Sequence, residues 1–369
     1  MLINKVEWRG IRIPLRRPAS DDAAPDRHTL LVWMFTDDGR VGVGEAAPVG
    51  PGRPGRVRDV AEVMHDLAPA MLGLSPILAL DVTLALAPKA PAGDALRLGL
   101  ETAVFDLLGQ AGVRPITSLL GGTIDWVPVH AIIGYEEPEE AARQAAEAVA
   151  GGYTCVKLSL GAREMARDVE TVALVREAVG PTVGLRADAD ERWTTERAIA
   201  TINALERYGL EYVEQPVIAE DLAGLARIRR SVSVPIAADE AVRRLEDAER
   251  VIAAEAADVL VVKPAMAGGI RGAREIMAMA RQKGLGTVIA SCLETGIGIT
   301  AALHVAASFG DAGTAGLASG VVLADDLLVK PMLPVRGHLT VPQTPGLGVE
   351  LDHDAVDRYT SDVMGVIAG

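Results

Sequence analysis

Hydrophobic residues alternate with polar ones at the start of the chain, in the two-residue period of a half-buried β-strand. Ile3, Val6, Ile11 and Ile13 lie among charged residues in this first segment. The run LLVWMFT (30–36) is rich in strand-forming residues. TDDGR (36–40) is typical of a hairpin turn, and VGVGEAAP (41–48) follows it. We therefore predict antiparallel strands over the first 50 residues.

Two further patterns complete this first unit. Residues 19–28 are polar, contain a proline and have no periodicity, which predicts a mobile loop between two strands. From 56 to 120 the period becomes helical, and Leu100, Val104 and Leu107 share one helix face. These patterns therefore predict a small α+β domain over residues 1–125.

From residue 126 onward, short apolar runs alternate with helical stretches rich in Ala, Glu and Arg. The predicted strands are 127–133, 155–160, 183–189, 211–216, 235–240, 259–264, 287–292 and 316–321. Eight strands with helical connections favour a closed parallel (β/α)₈ barrel over residues 126–322. The Pro- and Gly-rich segment 323–369 is expected to return to the first domain, because the barrel already has its eight strands. The predicted fold class is thus α/β, a barrel with an N-terminal α+β capping domain.

Composition excludes several classes of function. Asp+Glu number 50 against 36 Lys+Arg, a formal net charge of −14, and only 3% of residues are aromatic, so we expect no nucleic-acid partner. No apolar run reaches the ~18 residues of a membrane span, and the N-terminus lacks the apolar region of a signal peptide. Two cysteines, Cys155 and Cys292, are too few for a disulfide framework. We therefore expect a cytoplasmic protein with no membrane partner.

Five charged residues lie at the carboxyl ends of successive predicted strands, where charge is costly unless it is paired or bound to metal. They are Lys157, Asp188, Glu214, Asp239 and Lys263, each separated from the next by 24 to 31 residues, about one strand–helix unit. The carboxyl ends of barrel strands form one mouth, which carries the reactive groups of such enzymes. The regular spacing therefore predicts that all five side chains converge there.

The three carboxylates Asp188, Glu214 and Asp239 would repel one another without a cation. A hard divalent ion resolves this repulsion, and three carboxylates with water and substrate oxygens suit Mg²⁺, with Mn²⁺ as the alternative. Zn²⁺ is disfavoured because no His or Cys accompanies them. The competing interpretation is a set of separate ion pairs at strand ends.

Lys157 and Lys263 flank these carboxylates. Burial near a cation lowers the pKa of a lysine, so we expect neutral amines that can abstract the α-proton of a carboxylate substrate. The cation would stabilise the resulting enediolate. The alternative is that both lysines form structural salt bridges with the same carboxylates.

The residues at these strand ends resemble a known family. VEQP with Glu214, AADE with Asp239, VVKPAMAGGI with Lys263 and LRADAD with Asp188 resemble the enolase superfamily, in its muconate lactonizing branch. GVGEAAP (42–48) resembles a segment of that family's capping domain. ASCLETGIGITAALHVAAS (290–308) and GHLTVPQTPGLGVELD (337–352) are similar to o-succinylbenzoate synthases and N-acylamino acid racemases.

This resemblance implies a role for each matching residue. Asp188, Glu214 and Asp239 would be Mg²⁺ ligands. Lys263 would be a base or a cation that stabilises the enediolate, and Lys157 would be the first lysine of the family's K-x-K motif. Asp190 stands where the family usually has Asn. The capping domain would close over the substrate and set specificity.

One position departs from the family pattern. The second lysine of K-x-K is the usual proton-transfer base, and here the residue is Ser159. Side chains two apart on a strand share a face, so a serine occupies the place from which that lysine would reach. A racemase needs a base on each face of its substrate, so racemisation is disfavoured. A reaction that needs one base stays feasible, with Lys263 or Lys157 taking the proton.

The sequence therefore predicts a Mg²⁺-dependent lyase that acts on a small carboxylate substrate, resembling the dehydration of o-succinylbenzoate synthases. The alternatives are a muconate-type cycloisomerase, an N-acylamino acid or dipeptide racemase, and a non-catalytic metal-binding homologue. A homo-oligomer is compatible with the sequence. The predicted substrate-binding residues are Ser159, Ser291, Glu294, Glu45 and Asp190.

Overall fold

The computed structural model of the chain describes residues 1–16, 25–48, 55–310 and 313–369. Residues 19–24 of the predicted loop lie outside these ranges. Asp26 to His28 belong to a strand, so the loop prediction is wrong for them: they pair with Pro14 to Arg12 on the preceding strand. Within the described ranges, no helix combines the length and the hydropathy of a membrane span.

The strands of the described residues are β1 Ile3–Pro14, β2 Asp26–Thr36, β3 Val41–Ala46, β4 Trp126–Pro128, β5 Ala131–Ile133, β6 Cys155–Ser159, β7 Gly184–Asp188, β8 Tyr212–Glu214, β9 Ile236–Ala238, β10 Val259–Val262, β11 Gly286–Ile289, β12 His338–Thr340 and β13 Thr360–Ala368. The α-helices are α1 Gly55–Leu67, α2 Pro76–Leu86, α3 Pro91–Gly112, α4 Ile116–Leu119, α5 Pro138–Ala150, α6 Met165–Val179, α7 Thr195–Leu205, α8 Leu222–Ser231, α9 Leu245–Ala253, α10 Gly269–Gln282, α11 Gly296–Ala307 and α12 His353–Tyr359. Short 3₁₀ helices cover Ala68–Met71, Glu206–Tyr208 and Ala318–Val322.

The N-terminal unit is a four-stranded antiparallel sheet in the order β13-β1-β2-β3. Its apolar face packs against α1 and α3. Helix α3 approaches β3 so closely that a Cβ on Gly44 would lie 1.9 Å from the carbonyl oxygen of Gly99. The glycines of VGVGEA therefore allow the strand and the helix to touch. The last strand of the chain, β13, lies at one edge of this N-terminal sheet.

The second sheet is parallel, with the strands β5 to β11 in chain order. Ala315 and Gly316 close the ring, because Ala315 bridges to Val129 and Gly316 bridges to Ala290. The predicted (β/α)₈-type barrel is therefore confirmed, but its eighth strand is only this short bridge. The strand predicted over 316–321 is wrong beyond Gly316, since Ala318–Val322 is a 3₁₀ helix.

A second difference concerns the first barrel strand. The predicted strand 127–133 is divided into β4, which pairs with β12, and β5, which joins the barrel. Val129 and His130 lie between the two, and the backbone N–H of His130 donates to the carbonyl of Ala315 at 3.1 Å. Continuous apolar character along the sequence could not reveal that this strand changes partners.

Alternate residues of the barrel strands point inward and fill the interior. One such layer contains Tyr212, Ala237, Val261 and Val288. Beside it, the buried guanidinium of Arg186 bonds Glu211 at 2.6 Å and lies 3.1 Å from Nδ1 of His130. Burial lowers the pKa of His130 well below its usual value, which is typical of a neutral core histidine. The next inward-facing positions are at the mouth of the barrel.

Candidate active site

Three of the predicted site residues meet where β6, β7 and β8 lie side by side. Lys157 Nζ donates to Asp188 Oδ2 at 2.6 Å and to Glu214 Oε1 at 2.9 Å. The parallel register places Asp188 beside Glu214 on adjacent strands. Both carboxylates are buried, so these ion pairs lie inside the protein.

The other two of the five charged residues meet at the next two strands, β9 and β10. Lys263 follows β10 and donates to Oδ2 of Asp239, which follows β9, at 2.5 Å. Only 18% of the Lys263 side chain and 4% of the Asp239 side chain are exposed. The structure thus brings the five residues to one end of the barrel, as two lysine–carboxylate clusters.

The charge state of the lysines differs from the expectation of neutral amines. Burial alone would lower the pKa of Lys157, but its ion pairs with Asp188 and Glu214 outweigh burial and raise the pKa well above its usual value. The same balance, with Asp239 as the main partner, raises the pKa of Lys263. In this state both lysines are ammonium ions, because the carboxylates bind them directly.

A fourth carboxylate in this cluster was not predicted from the sequence. Glu240 follows Asp239 directly, after the end of β9. Burial, followed by the neighbouring Asp239 carboxylate, raises the pKa of Glu240 to about 8. Burial and the Asp188 carboxylate likewise raise the pKa of Glu214 well above its usual value. The carboxylates at the mouth therefore repel one another strongly.

In the observed arrangement the carboxylates of this cluster are not gathered around one metal position: within the described ranges, no group of three or more His, Cys, Asp or Glu side chains could hold a metal ion. However, Asp239 Oδ1 and Glu240 Oε2 are buried and have no hydrogen-bond partner. Buried oxygens are normally satisfied. Unsatisfied carboxylate oxygens beside two further carboxylates fit a hard divalent cation.

Ser159 ends β6 and lies on the same strand face as Lys157, two residues away. Its register partner on β7 is Asp188. β6 is the second barrel strand and β10 the sixth, so Ser159 and Lys263 lie on opposite sides of the mouth. The β6 side of the mouth therefore carries Lys157 and a short hydroxyl, and Lys263 lies across from them.

Asp190 lies at the rim of this mouth, next to Lys157 and Asp188. Its backbone N–H donates to Asp188 Oδ1 at 3.0 Å. Its carboxylate accepts the phenolic proton of Tyr135, which follows β5. Arg192 Nε donates to the same phenolic oxygen at 3.0 Å. The sequence analysis did not identify Tyr135, because a single tyrosine after a strand carries no distinctive pattern.

Glu45 lies at the contact between the N-terminal sheet and the barrel. It is fully buried, and its oxygens accept hydrogen bonds from the backbone N–H and hydroxyl of Thr295 and from the N–H of Gly298. Glu45 therefore holds the N-terminus of α11. This carboxylate has no exposed surface for a substrate, and the expectation of substrate contact stays a prediction without structural support.

Ser291 and Glu294 follow β11 at the mouth. The hydroxyl of Ser291 lies 2.5 Å from that of Ser319, and Glu294 Oε2 accepts the N–H of Cys292 at 2.6 Å. Burial and the nearby Glu45 carboxylate raise the pKa of Glu294 to about 7. The backbone N–H of Ser291 donates to the carbonyl of Gly316 at 3.1 Å, so it is already paired within the barrel.

Comparison with known proteins identifies the family of this chain. Residues 18–121 match the family model of the mandelate racemase / muconate lactonizing enzyme N-terminal domain, and residues 140–355 match that of the enolase C-terminal domain-like family. The chain belongs to the enolase superfamily. This confirms the resemblance seen in the sequence and the prediction of an enzyme of that superfamily.

Relatives within the superfamily differ in their reactions. The L-Ala-D/L-Glu epimerase of Bacillus subtilis is 31% identical over 95% of this chain and 97% of its own length. The o-succinylbenzoate synthase of Thermobifida fusca is 43% identical over 59% of this chain and 67% of its own length. A dipeptide epimerase from Enterococcus faecalis, complexed with Mg and the dipeptide L-Leu-L-Tyr, superposes with a TM-score of 0.86, 30% identity and coverage of 95% and 100% of the two chains.

Proposed function

We propose that the chain is a Mg²⁺-dependent enzyme that removes the α-proton of a carboxylate substrate with one base, Lys263, and eliminates water from the resulting enediolate. The observation that carries this proposal is the asymmetry of the mouth. Lys263 stands on one side, and Ser159 stands on the other where the family pattern has a second lysine. A serine hydroxyl is no base near neutral pH, so two-base inversion lacks one of its groups.

Asp188, Glu214 and Asp239 would hold the cation, because they are buried oxygen donors at one end of the barrel. When bound, Mg²⁺ would acidify the α-proton and stabilise the enediolate charge. The unsatisfied Asp239 Oδ1 supports this assignment.

Lys263 must lose its proton before it can act as a base. Its ion pair with Asp239 keeps it protonated. A ligand that competes for the Asp239 carboxylate weakens this pair, and burial then favours the neutral amine. Lys157 pairs with two carboxylates where Lys263 pairs with one, so we assign Lys157 the fixed positive charge beside the substrate carboxylate and Lys263 the role of base.

A second candidate function is epimerisation of a dipeptide or N-acylamino acid. The full-length similarity to an epimerase, 31% over 95% of the chain, favours it. This function requires a second proton-transfer group that Ser159 does not supply.

Deuterium incorporation at the substrate α-carbon in D₂O with Mg²⁺ tests the proposal. We expect exchange in the wild type, loss of exchange in Lys263→Ala, and retention of configuration in the recovered substrate. Exchange that survives in Lys263→Ala but is lost in Lys157→Ala would reassign the base. Inversion at the α-carbon would favour the epimerase, and no exchange with any carboxylate would reject an enediolate-forming enzyme.

A further inference from the structure

The Tyr135 side chain lies across the end of β6, the strand that lacks the second lysine of the K-x-K motif. It follows β5, and its hydroxyl bonds Asp190, which follows β7. Strand β6, which ends at Ser159, lies between β5 and β7 in the sheet. The phenol therefore bridges the two neighbours of Ser159, on the side of the mouth opposite Lys263.

This phenol belongs to a half-buried side chain at the rim of the mouth. Asp190, its acceptor, donates its backbone N–H to Asp188 Oδ1 at 3.0 Å. Arg163 donates to the carbonyl of Tyr135 at 3.0 Å and fixes its backbone. The phenol is thus hydrogen-bonded to Asp190, which in turn bonds the predicted cation ligand Asp188.

Burial and the Asp190 carboxylate raise the pKa of Tyr135, so the phenol carries its proton before the elimination, and Arg192 is placed to stabilise the phenolate that forms. Arg192 Nε donates to the phenolic oxygen, and its guanidinium carbon lies 4.8 Å from the centroid of the Tyr135 ring. A phenolate formed at this position would keep a charged hydrogen bond, which is stronger than a neutral one. The phenolic proton has only to turn from Asp190 to a substrate oxygen.

We propose that Tyr135 is the general acid of the elimination and delivers its proton to the departing hydroxyl on the face opposite Lys263. This inference rests on the proposed function, because it assumes that Lys263 removes the α-proton. The Lys263 amine takes that proton, and the C–H electron pair enters the enediolate. The enediolate electron pair then forms the new C=C bond as the C–O bond breaks. The C–O pair stays on oxygen, and that oxygen takes the Tyr135 proton and leaves as water.

The cycle closes without any other reagent. The Tyr135 phenolate regains a proton from solvent, and the Lys263 ammonium returns one to solvent, so the net change is loss of one water from the substrate. Because base and acid lie on opposite sides of the mouth, the departing hydrogen and hydroxyl must lie on opposite faces of the substrate.

The test uses the cis and trans isomers of a hydroxycyclohexadiene carboxylate whose hydroxyl is on the carbon next to the carboxylate-bearing one. In the cis isomer the α-hydrogen and the hydroxyl lie on opposite ring faces. We expect the Mg²⁺-loaded wild type to dehydrate the cis isomer. Tyr135→Phe should lose dehydration by about 100-fold or more and still exchange the α-hydrogen with D₂O, since Lys263 is intact.

Tyr208→Phe is the matched control. Tyr208 also has an arginine bonded to its hydroxyl, at 2.7 Å, and stacked on its ring, but it precedes β8 at the other end of the barrel. This variant should dehydrate the cis isomer at the wild-type rate.

Three results would contradict the proposal in different ways. Dehydration by Tyr135→Phe at the wild-type rate, or dehydration of the trans isomer alone, would overturn the role of Tyr135 and leave Lys263 as the base. Loss of α-hydrogen exchange together with dehydration in Tyr135→Phe would show a general effect on the site and would also overturn it. A wild type that exchanges neither isomer would overturn the proposed function and this inference with it.

Discussion

Glu45 of the N-terminal sheet accepts hydrogen bonds from both the backbone N–H and the hydroxyl of Thr295, at 3.0 and 2.6 Å, immediately before α11 of the barrel. One buried carboxylate therefore joins the two parts of the molecule at the segment that follows β11. The same segment carries Ser291 and Glu294 at the mouth. Glu45 thus couples the position of the N-terminal sheet to the shape of this side of the mouth, and Arg27 of β2 bonds the carbonyl of Leu293 in the same segment.

We predict that Glu45→Ala lowers the free energy of unfolding by about 3 kcal/mol, because it leaves buried donors of Thr295 and Gly298 without an acceptor. Urea denaturation measures this change. Glu249→Ala, at an exposed position of α9, is the control and should change stability by less than about 0.5 kcal/mol. Equal stability of the two variants would show that the Glu45 contacts add nothing to the fold.

His304 gives the fold a pH dependence that follows from its environment. Burial lowers its pKa to about 4, and its two ring nitrogens bond Thr117 and the carbonyl of Leu347. Because the unfolded histidine titrates near 6.5, the folded state keeps the neutral ring while the unfolded state binds a proton. Stability is therefore complete above about pH 6.5 and is lost as pH falls towards 4, by roughly 3 kcal/mol.

Unfolding free energies measured across this pH range in wild type and His304→Gln test that prediction. The variant should be less stable at neutral pH and should show a flatter dependence on pH. His353→Gln, at the exposed start of α12, is the control. A pH profile unchanged in His304→Gln would assign the acid sensitivity to other groups.

The sequence predicted the barrel and its mouth because both depend on period and spacing. Charged residues recurring once per strand–helix unit identified Lys157, Asp188, Glu214, Asp239 and Lys263, since successive parallel strands end at one edge. Contacts between distant segments carry no such period. The bridge at Ala315 and Gly316 is too short to form a hydrophobic pattern, and a Cβ on Gly316 would lie 3.2 Å from the His130 ring.

Side-chain partners were predictable only in part. Lys157 was expected beside the carboxylates, but its charge depends on how closely they approach, and two contacts within 3 Å reverse the expected direction of its pKa shift. Glu45 was identified as a candidate from its motif. Its hydrogen-bond partner Thr295 lies 250 residues away, so the motif alone did not reveal that contact. The role of Tyr135 depends on the sheet order, which places β6 between its two neighbours.

Cation binding can be measured without any substrate. We predict that MgCl₂ raises the thermal unfolding temperature of the wild type, because an ion that binds only the folded state adds about 2.7 kcal/mol at 100 times its dissociation constant. Asp239→Asn should lose this shift, since it removes a charge and changes the unsatisfied Oδ1. Asp247→Asn, in the first turn of α9, is the control and should keep it. An equal MgCl₂ shift in both variants would mean that the ion binds elsewhere.

Restoring the missing lysine tests whether the asymmetry of the mouth limits the chemistry. Ser159 is half-buried at the end of β6, and a lysine there would reach the mouth from the side opposite Lys263. We predict that Ser159→Lys gains inversion of the glutamate α-carbon in an L-Ala-L-Glu dipeptide by at least about tenfold over wild type, because general acid–base catalysis by a placed group contributes about 100-fold or more. Chiral chromatography of the recovered dipeptide measures the gain. Ser159→Ala adds no base and should invert the dipeptide at the wild-type rate. Inversion by Ser159→Ala as fast as by Ser159→Lys would show that the residue at this position does not control the stereochemical outcome.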